Sequence, residues 1–226
     1  GILGEINNAY NGTTFSFTKC GNYGNLTAKA SGTAFMGGIV GKLWAKENTV
    51  KIYLSKCFNG NGTDGKIATT DNKAKYAGGL IGEINQDVYI LDSYNNAKEI
   101  IGSSSGAIIG YNEGHPTYLY NSYSATSTPT AFVGSGTTAT ANTSYTSYTA
   151  SSIKTGTDYV TNATLNHAYT VQSISAGNAY VYKAGVNGDY PVLSWQVDVL
   201  TKNVGRNLIA DLIADTAKSG FKEALG

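Results

Sequence analysis

Asp64 and Asp71 are the residues of this sequence whose type and spacing best suit acid–base chemistry. They lie in the longest insertion between repeated motifs, Asn59 to Lys75. Enzymes that cleave polysaccharides use paired carboxylates or a basic side chain held in a cleft. A solvated loop carries the same residues, however, and the chain has no H-E-x-x-H, G-x-S-x-G, P-loop or calcium-loop motif. The sequence therefore predicts no catalytic residue.

Cys20 and Cys57 are the only thiols of the chain, and they share one column of a repeat in which Ser93 and Ser122 follow. The column calls for a small side chain. Strands about 4.8 Å apart would bring the two sulfurs within disulfide range, but parallel Cβ vectors make the torsion awkward, which favours free, buried thiols. The two histidines of the chain lack ligand spacing, so the sequence predicts no metal site and no cofactor.

An aromatic column next to these small positions is the candidate ligand-binding feature. Its members are Phe58, Tyr94, Tyr123 and Tyr145. Tyrosine combines a large contact area with a hydroxyl group and few rotatable bonds, so Tyr94, Tyr123 and Tyr145 are candidates for contacts with sugar rings. Alternatively, the rings stack on one another between neighbouring strands and stabilise a sheet. The sequence leaves both interpretations open.

The elements that must position these columns are repeats opened by a glycine-bracketed apolar motif. The copies are Gly1-Ile2-Leu3-Gly4, Gly38-Ile39-Val40-Gly41, Gly79-Leu80-Ile81-Gly82 and Ala107-Ile108-Ile109-Gly110, with Phe132-Val133-Gly134 as a degraded copy. Variable spacing around a fixed motif is typical of stacked coils that carry loops of different length. We expect alternate members of each apolar pair to face the interior, with one residue of each pair buried.

The second half of each repeat alternates in the manner of a strand with one buried face. The predicted interior columns are Phe17, Leu54, Ile90 and Leu119, and Phe15, Ile52, Val88 and Thr117. Asn22, Asn59 and Asn95 form a further column, in which each amide would hydrogen-bond to its counterpart one coil away.

The column that follows the repeat glycines carries charges of alternating sign. It reads Glu5, Lys42, Glu83 and Tyr111. Residues in one column of a parallel stack lie about one strand spacing apart, and opposite charges there attract. The register predicts Lys42 between Glu5 and Glu83 on the outer surface.

Taken together, these motifs resemble GLUG-motif repeats, the G-G-I-V-G … N-C-Y-N-x-G-x-V pattern of large secreted and surface proteins of bacteria, including regions that flank some immunoglobulin A peptidases. The resemblance covers roughly residues 1–134. Residues 187–196 are similar to the G-Y-P-V-L-x-W-Q segment that often closes such arrays, with Asp189 in place of the usual glycine. The resemblance implies a scaffold or binding role and transfers no catalytic residue.

Composition is that of a secreted structural domain, with 28 glycines, 17 tyrosines, 14% charged residues and a net charge of +1. Near-neutrality argues against nucleic acid as a partner. The chain has no apolar run of about 18 residues, so no membrane span is predicted. Because it opens with glycine inside a repeat motif, we expect a fragment of a longer protein.

Beyond Trp195 the apolar period changes to that of an amphipathic helix, with Leu200, Val204, Leu208 and Leu212 four residues apart. The helix is expected to cover the end of the stack, and self-association through Leu200, Val204 and Leu208 is the alternative. The predicted domains are residues 1–196, a repeat domain, and residues 197–226, a helical cap or the start of a next region.

The sequence therefore predicts an all-β fold, a parallel β-helix or solenoid of about five or six coils with a C-terminal α-helix. The predicted function is that of a non-catalytic module of a large secreted or cell-surface bacterial protein, scaffold-like or adhesin-like, with a glycan or a host or cell-surface protein as partner. Two alternatives stay open. One is a carbohydrate-active β-helix enzyme, a lyase or glycosidase, and the other is a structural rod or filament subunit.

Overall fold

A computed structural model of the chain describes residues 1–9, 11–28, 34–46, 49–69, 74–120, 122–126, 129 and 131–136, and near the C-terminus 147–148, 170–171, 174–175, 179–181, 187 and 190–196. Within these residues the fold is mostly β, and the strands of successive repeats pair in parallel. This arrangement confirms the all-β class. The predicted helix beyond Trp195 and the boundary at residue 197 lie outside the described residues, apart from a helical turn at 194–196.

Each repeat contributes strands in the same order. The first repeat carries β1 (Leu3–Ala9), β2 (Thr14–Thr18), β3 (Gly21–Asn22), β4 (Leu26–Ala28) and β5 (Ala34–Gly37). The second carries β6 (Val40–Ala45), β7 (Lys51–Ser55), β8 (Phe58–Asn59), β9 (Ile67–Thr69) and β10 (Ala74–Gly78). The third carries β11 (Ile81–Ile84), β12 (Asp87–Leu91), β13 (Tyr94–Asn95) and β14 (Ser104–Gly106).

The later repeats are described less completely. The fourth carries β15 (Ile109–Asn112), β16 (Thr117–Tyr120) and β17 (Ser122–Ser124), and the next carries β18 (Val133–Gly136) and β19 (Ser147–Tyr148). Four short strands follow, β20 (Thr170–Val171), β21 (Ile174–Ser175), β22 (Tyr180–Val181) and β23 (Val192–Leu193), and they pair as two antiparallel hairpins.

Equivalent strands of successive repeats stack into five parallel sheets. Sheet 1 has the order β1-β6-β11-β15-β18, sheet 2 β2-β7-β12-β16, sheet 3 β3-β8-β13-β17-β19, sheet 4 β4-β9 and sheet 5 β5-β10-β14. The sheets are open, so each ends in edge strands. The order places the first repeat at one edge of every sheet.

The apolar pairs of the glycine motifs stack as predicted but are buried more completely. Val40 pairs with Ile81, and Ile81 pairs with Ile109, in parallel register. In the second, third and fourth copies both members of the pair are at most 1% exposed and belong to the main core, so the expectation that only one would face the interior was wrong there, whereas Ile2 of the first copy is 53% exposed. The reason is local. Ile39 lies in the bend between β5 and β6, where the alternation of a strand does not apply.

The predicted interior columns of sheet 2 are confirmed. Phe17, Leu54, Ile90 and Leu119 pair in register, as do Phe15, Ile52, Val88 and Thr117. Their side chains build the core together with the apolar pairs of sheet 1. Burial of such side chains stabilises the fold by about 1.5–3 kcal/mol each.

The corner between sheets 2 and 3 is made by a residue in the left-handed conformation. Lys19, Lys56 and Asp92 have φ values of 54°, 56° and 47°, a region that residues other than glycine seldom enter. Each directly precedes the Cys or Ser of its repeat. The same strained corner therefore recurs in three consecutive repeats and turns the chain from one sheet to the next.

Candidate functional site

The predicted aromatic column forms a buried ladder. The rings of Phe58 and Tyr94 stack with centroids 5.4 Å apart, and those of Tyr94 and Tyr123 with centroids 5.0 Å apart and an interplanar angle of 6°. All three side chains are at most 2% exposed. Tyr94 and Tyr123 thus do not present a platform to solvent, which corrects the ligand-binding interpretation for these two residues. Tyr145 lies outside the described residues.

Residues near the C-terminus cover this ladder. Tyr180, Tyr190 and Leu193 pack on it, and the half-buried Trp195 lies against Phe58. Burial raises the pKa of Tyr94. The ladder is therefore an interface between the repeats and the described residues 179–180 and 190–196.

Hydrogen bonds fix that cover in place. The Tyr94 hydroxyl donates to Gln196 Oε1 at 3.2 Å, the Tyr123 hydroxyl donates to the carbonyl of Pro191, and Trp195 Nε1 donates to the carbonyl of Lys56 at 3.0 Å. Asn96 Nδ2 donates to Asn187 Oδ1 at 2.9 Å. Asn187 and residues 190–196 belong to the segment that resembles an array-closing motif, and these described residues pack against the side of the repeats.

The asparagine column forms the predicted ladder of amides. Asn22 Nδ2 donates to Asn59 Oδ1 at 2.7 Å, and Asn59 Nδ2 donates to Asn95 Oδ1 at 3.0 Å. Asn95 Nδ2 continues the chain to Thr126 Oγ1 at 2.6 Å. Because Asn59 and Asn95 are fully buried, each amide satisfies the next where no water can.

The charged column of sheet 1 has the predicted register. Lys42 pairs with Glu5 on one side and Glu83 on the other, and its Nζ lies 3.7 Å from Glu5 Oε1 and 3.5 Å from Glu83 Oε2. The same Nζ lies 4.5 Å from the ring centroid of Phe35 and 5.2 Å from that of Trp44, a cation–π arrangement. Lys42 is thus held by two carboxylates and two rings.

Glu83 does not lie on the outer surface as predicted, because it is only 4% exposed. It is flanked in register by the long side chains of Lys42 and Tyr111. Burial raises the pKa of its carboxyl, and the Lys42 ammonium opposes that rise. Glu5 and Glu83 are separated by a lysine, so they do not form a catalytic carboxylate pair.

Lys42→Glu should lower the free energy of unfolding by about 1–3 kcal/mol, between the value of an exposed pair and that of a buried one. The substitution leaves Glu83 buried without its cation and places three acids in a row. Chemical denaturation at low and high salt measures the effect, and part of the loss should be recovered in high salt because screening weakens the repulsion. Lys46→Glu, at an exposed position after β6, is the control. Equal stability of the two variants would contradict the assigned role of Lys42.

Two further aromatic stacks lie on the outward faces of the sheets and were missed at the sequence level. The rings of Tyr53, Tyr89 and Tyr118 stack with centroids 4.7 and 4.6 Å apart. Tyr76 stacks on Tyr111 at 4.3 Å, with Lys75 Nζ 4.9 Å from the Tyr76 ring. The sequence signal of the first stack is a tyrosine between the two interior columns of sheet 2 in successive repeats. Tyr76 and Tyr111 lie in different sheets, so no single column of the sequence marks that pair.

The pair Tyr76 and Tyr111 is the better candidate for a ligand contact. Tyr53 is buried, whereas Tyr76 and Tyr111 are each half-buried. Tyr111 pairs in register with Glu83, and Lys75 Nζ lies over the Tyr76 ring. Aromatic rings next to charged hydrogen-bonding groups suit sugar recognition chemically. Burial raises the pKa of Tyr111, so its hydroxyl is a neutral donor at physiological pH.

The candidate catalytic acids are not brought together in the described residues. Asp64 is exposed, and its Oδ2 accepts hydrogen bonds from Asn61 Nδ2 at 3.1 Å and Thr63 Oγ1 at 3.3 Å within its own loop. Asp71 lies outside the described residues. Among the residues that are described, no group of three or more His, Cys, Asp or Glu side chains could hold a metal ion.

Cys20 and Cys57 are free thiols, as predicted, but the predicted burial holds for Cys57 alone because Cys20 is half-buried. Cys57 is fully buried, and its Sγ donates to the carbonyls of Phe17 at 3.3 Å and Ser55 at 3.4 Å. Its backbone N–H donates to Ser93 Oγ of the next repeat at 3.0 Å. Burial raises the pKa of the Cys57 thiol to about 12.

Cys57 should therefore resist thiol reagents in the native protein at pH 8, because only the thiolate reacts and the buried site excludes the reagent. Mass spectrometry after brief labelling should find modification at Cys20 alone, and denaturant should expose both thiols. The Cys20→Ser variant isolates the signal of Cys57. Rapid native labelling of that variant would contradict the burial of this side chain.

In the part of the chain that the structure describes, no helix has the length and apolarity needed to cross a membrane. Comparisons with protein-family models, with curated proteins and with solved structures found no match to this chain. The resemblance to GLUG-motif repeats therefore depends on the quoted motifs, and the function has to be argued from the structure.

Proposed function

We propose that this chain is a non-catalytic parallel β-solenoid module, a scaffold-like or adhesin-like part of a large secreted or cell-surface bacterial protein. The observation that carries the proposal is the in-register stacking of equivalent strands from successive repeats. An array of this kind extends by adding repeats, since each repeat contacts mainly its neighbours. Such an array would act as a spacer between the parts of the parent protein on either side of it.

The use of the polar side chains supports the same proposal. The amides of the asparagine ladder bond to one another, and Lys42 bonds to two glutamates of adjacent repeats. Groups that an enzyme would direct at a substrate are here directed at the neighbouring repeat. A structural role for these groups is the simplest physical account of the arrangement.

The second element of the proposal is glycan binding, which we assign to the outer face of the stacked repeats and not to the buried aromatic ladder. Tyr94 and Tyr123 are covered by Tyr180, Tyr190 and Leu193, whereas Tyr76 and Tyr111 are half-buried, and Tyr111 pairs in register with Glu83. A sugar can pack against the ring edges and hydrogen-bond to the two hydroxyls. Contacts of this kind would be weak individually and would gain strength from several copies of the module on one surface.

One experiment separates the scaffold from the enzyme. The full chain is incubated with a panel of bacterial, plant and host polysaccharides, and binding and the release of reducing ends or unsaturated products are measured together. We expect no turnover and weak binding that is lost in Tyr111→Ala but kept in Tyr23→Ala, whose ring is exposed elsewhere. Turnover that disappears in Asp64→Asn or Asp71→Asn would replace the scaffold by a carbohydrate-active enzyme.

Location is tested separately in the source organism. An antibody against this chain should bind intact cells or the culture supernatant, and protease added to intact cells should remove the signal. Labelling that requires permeabilised cells would rule out an extracellular or surface location. If intact cells are labelled but the chain binds no glycan, a host or cell-surface protein remains the proposed partner.

A further inference from the structure

The outward tyrosine stacks hold pairs of phenol rings face to face. Tyr76 and Tyr111 have ring centroids 4.3 Å apart and an interplanar angle of 8°. Tyr89 and Tyr118 have ring centroids 4.6 Å apart and an interplanar angle of 10°. All four residues are half-buried, so a small reagent in solution can reach them.

The backbone segments that carry these rings are held close together. Tyr89 and Tyr118 pair in register on neighbouring strands of sheet 2. At the other pair, a Cβ on Gly110 would lie 2.7 Å from the backbone N of Ala77, so the chain next to Tyr111 packs directly on the chain next to Tyr76. The fold therefore keeps the rings of each pair in contact.

Two phenols in contact can be joined by oxidation. An oxidant that removes one hydrogen atom from each hydroxyl leaves two phenoxyl radicals, in which part of the unpaired electron resides on the ring carbons next to the C–O carbon. The two radicals form a carbon–carbon bond through these positions, and the hydrogen of each bonded carbon then moves to the oxygen, which restores both phenols. A peroxide accepts the two hydrogen atoms that were removed and is reduced to water.

We propose that Tyr76 with Tyr111, and Tyr89 with Tyr118, are sites of oxidative cross-linking by a peroxide. The first bond would tie sheet 5 to sheet 1, and the second would tie β12 to β16 within sheet 2. Coupling within each pair is favoured because a partner that is fixed in contact reacts as if it were present at a very high concentration. This inference goes beyond the scaffold role, and it stands whether or not the outer tyrosines bind glycans.

The other aromatic contacts show why these two pairs are selected. Tyr94 and Tyr123 stack in the same way, with centroids 5.0 Å apart, but both are 0% exposed, so an oxidant cannot reach them. Tyr23 is the opposite case, because it is 44% exposed but lies against the ring of Phe58, which has no hydroxyl and forms no phenoxyl radical. Cross-linking within the molecule requires both exposure and a stacked tyrosine.

The test treats the dilute full chain with hydrogen peroxide and a small haem peptide as the catalyst. Dityrosine fluorescence follows the reaction, and mass spectrometry of the digested protein identifies each bonded pair by the loss of two hydrogen atoms. We expect both proposed links in the folded protein and none in the buried ladder. The same treatment in urea should give links without this selectivity, because unfolding separates the stacked rings and exposes the buried ones.

Two phenylalanine variants serve as controls for each other. Tyr111→Phe keeps a ring in the stack but removes the hydroxyl, so it should lower the amount of link at Tyr76 at least about tenfold and leave the link at Tyr89 unchanged. Tyr118→Phe should have the reverse effect. Circular dichroism of the untreated variants checks that both retain the fold of the parent protein.

Several results would overturn the proposal. One is the absence of both links under conditions in which the exposed Tyr23 is oxidised. The others are links in the folded protein that join the remaining tyrosines equally often, links that form only between molecules, and links at Tyr76 or Tyr89 that persist at the parent level when their partner is replaced by phenylalanine.

Discussion

Gly82→Ala should lower the free energy of unfolding by about 3 kcal/mol, whereas Gly4→Ala, at the same position two repeats earlier, should change it by less than about 0.5 kcal/mol. An added Cβ at Gly82 would lie 2.6 Å from the backbone N of Met36 and would overlap the carbonyl of Gly41. These obstacles are main-chain atoms held in sheets 1 and 5, so they cannot move without separating paired strands. At Gly4 a Cβ meets no described atom within 4 Å.

Urea denaturation of the two variants under identical conditions measures the difference. The comparison is informative because both positions close a glycine motif and lie on the same column of sheet 1. A generic helix or strand propensity effect of alanine would act equally on both. If the two variants lose the same stability, the close packing of sheet 5 on sheet 1 is not the reason for the repeated glycine.

Much of this packing was readable from spacing alone. Once the repeat glycines are aligned, the columns of Leu54 and Asn59 follow by counting, and the structure pairs these residues with Ile90 and Asn95 as the alignment requires. The prediction works because a parallel stack translates each residue by one strand spacing without changing its position on the cross-section. A column in the sequence is then a column in space.

Features that depend on contacts between residues distant in sequence could not be predicted from the repeat spacing. Tyr94 is buried because Gln196 and its neighbours, 102 residues away, cover the ladder. The left-handed corners fall on Lys19, Lys56 and Asp92, and lysine, at two of the three, carries no turn signal. Glu83 differs from Glu5 in burial although both share one column, because the edge repeat lacks a neighbour on one side.

The candidate ligand-binding residues show the same difference between features set by repeat spacing and features set by distant contacts. A tyrosine column is visible in the sequence, but whether its rings face solvent depends on what else packs there. Tyr180, Tyr190 and Leu193 cover Tyr94 and Tyr123, and the outward stack of Tyr76 and Tyr111 has no such cover among the described residues. Ligand contacts are therefore expected where a repeat column reaches the surface.

Asn59→Asp should be about as damaging as a core truncation, with a loss of about 3 kcal/mol at neutral pH. The substitution changes almost no volume but turns the donor of a fully buried amide into an acceptor. That amide now donates to Asn95 Oδ1 at 3.0 Å and to the carbonyl of Gly65 at 3.2 Å. A carboxylate there would face two acceptors with no cation and no water, the costliest state for a buried charge.

The pH dependence of this variant identifies the cause. Burial and facing acceptors raise the folded-state pKa of the introduced carboxyl above its unfolded value of about 3.9, so the unfolded state releases its proton first as the pH rises. The deficit relative to the parent protein should then grow from the unfolded pKa upward, reach its full size above the folded pKa, and shrink on acidification because a protonated carboxyl can donate again.

Asn22→Asp is the matched control, since Asn22 heads the same ladder but is half-exposed, and water can solvate its carboxylate. A deficit for Asn59→Asp that is equal to that of Asn22→Asp, or that is independent of pH, would show that the amide ladder does not stabilise the stack.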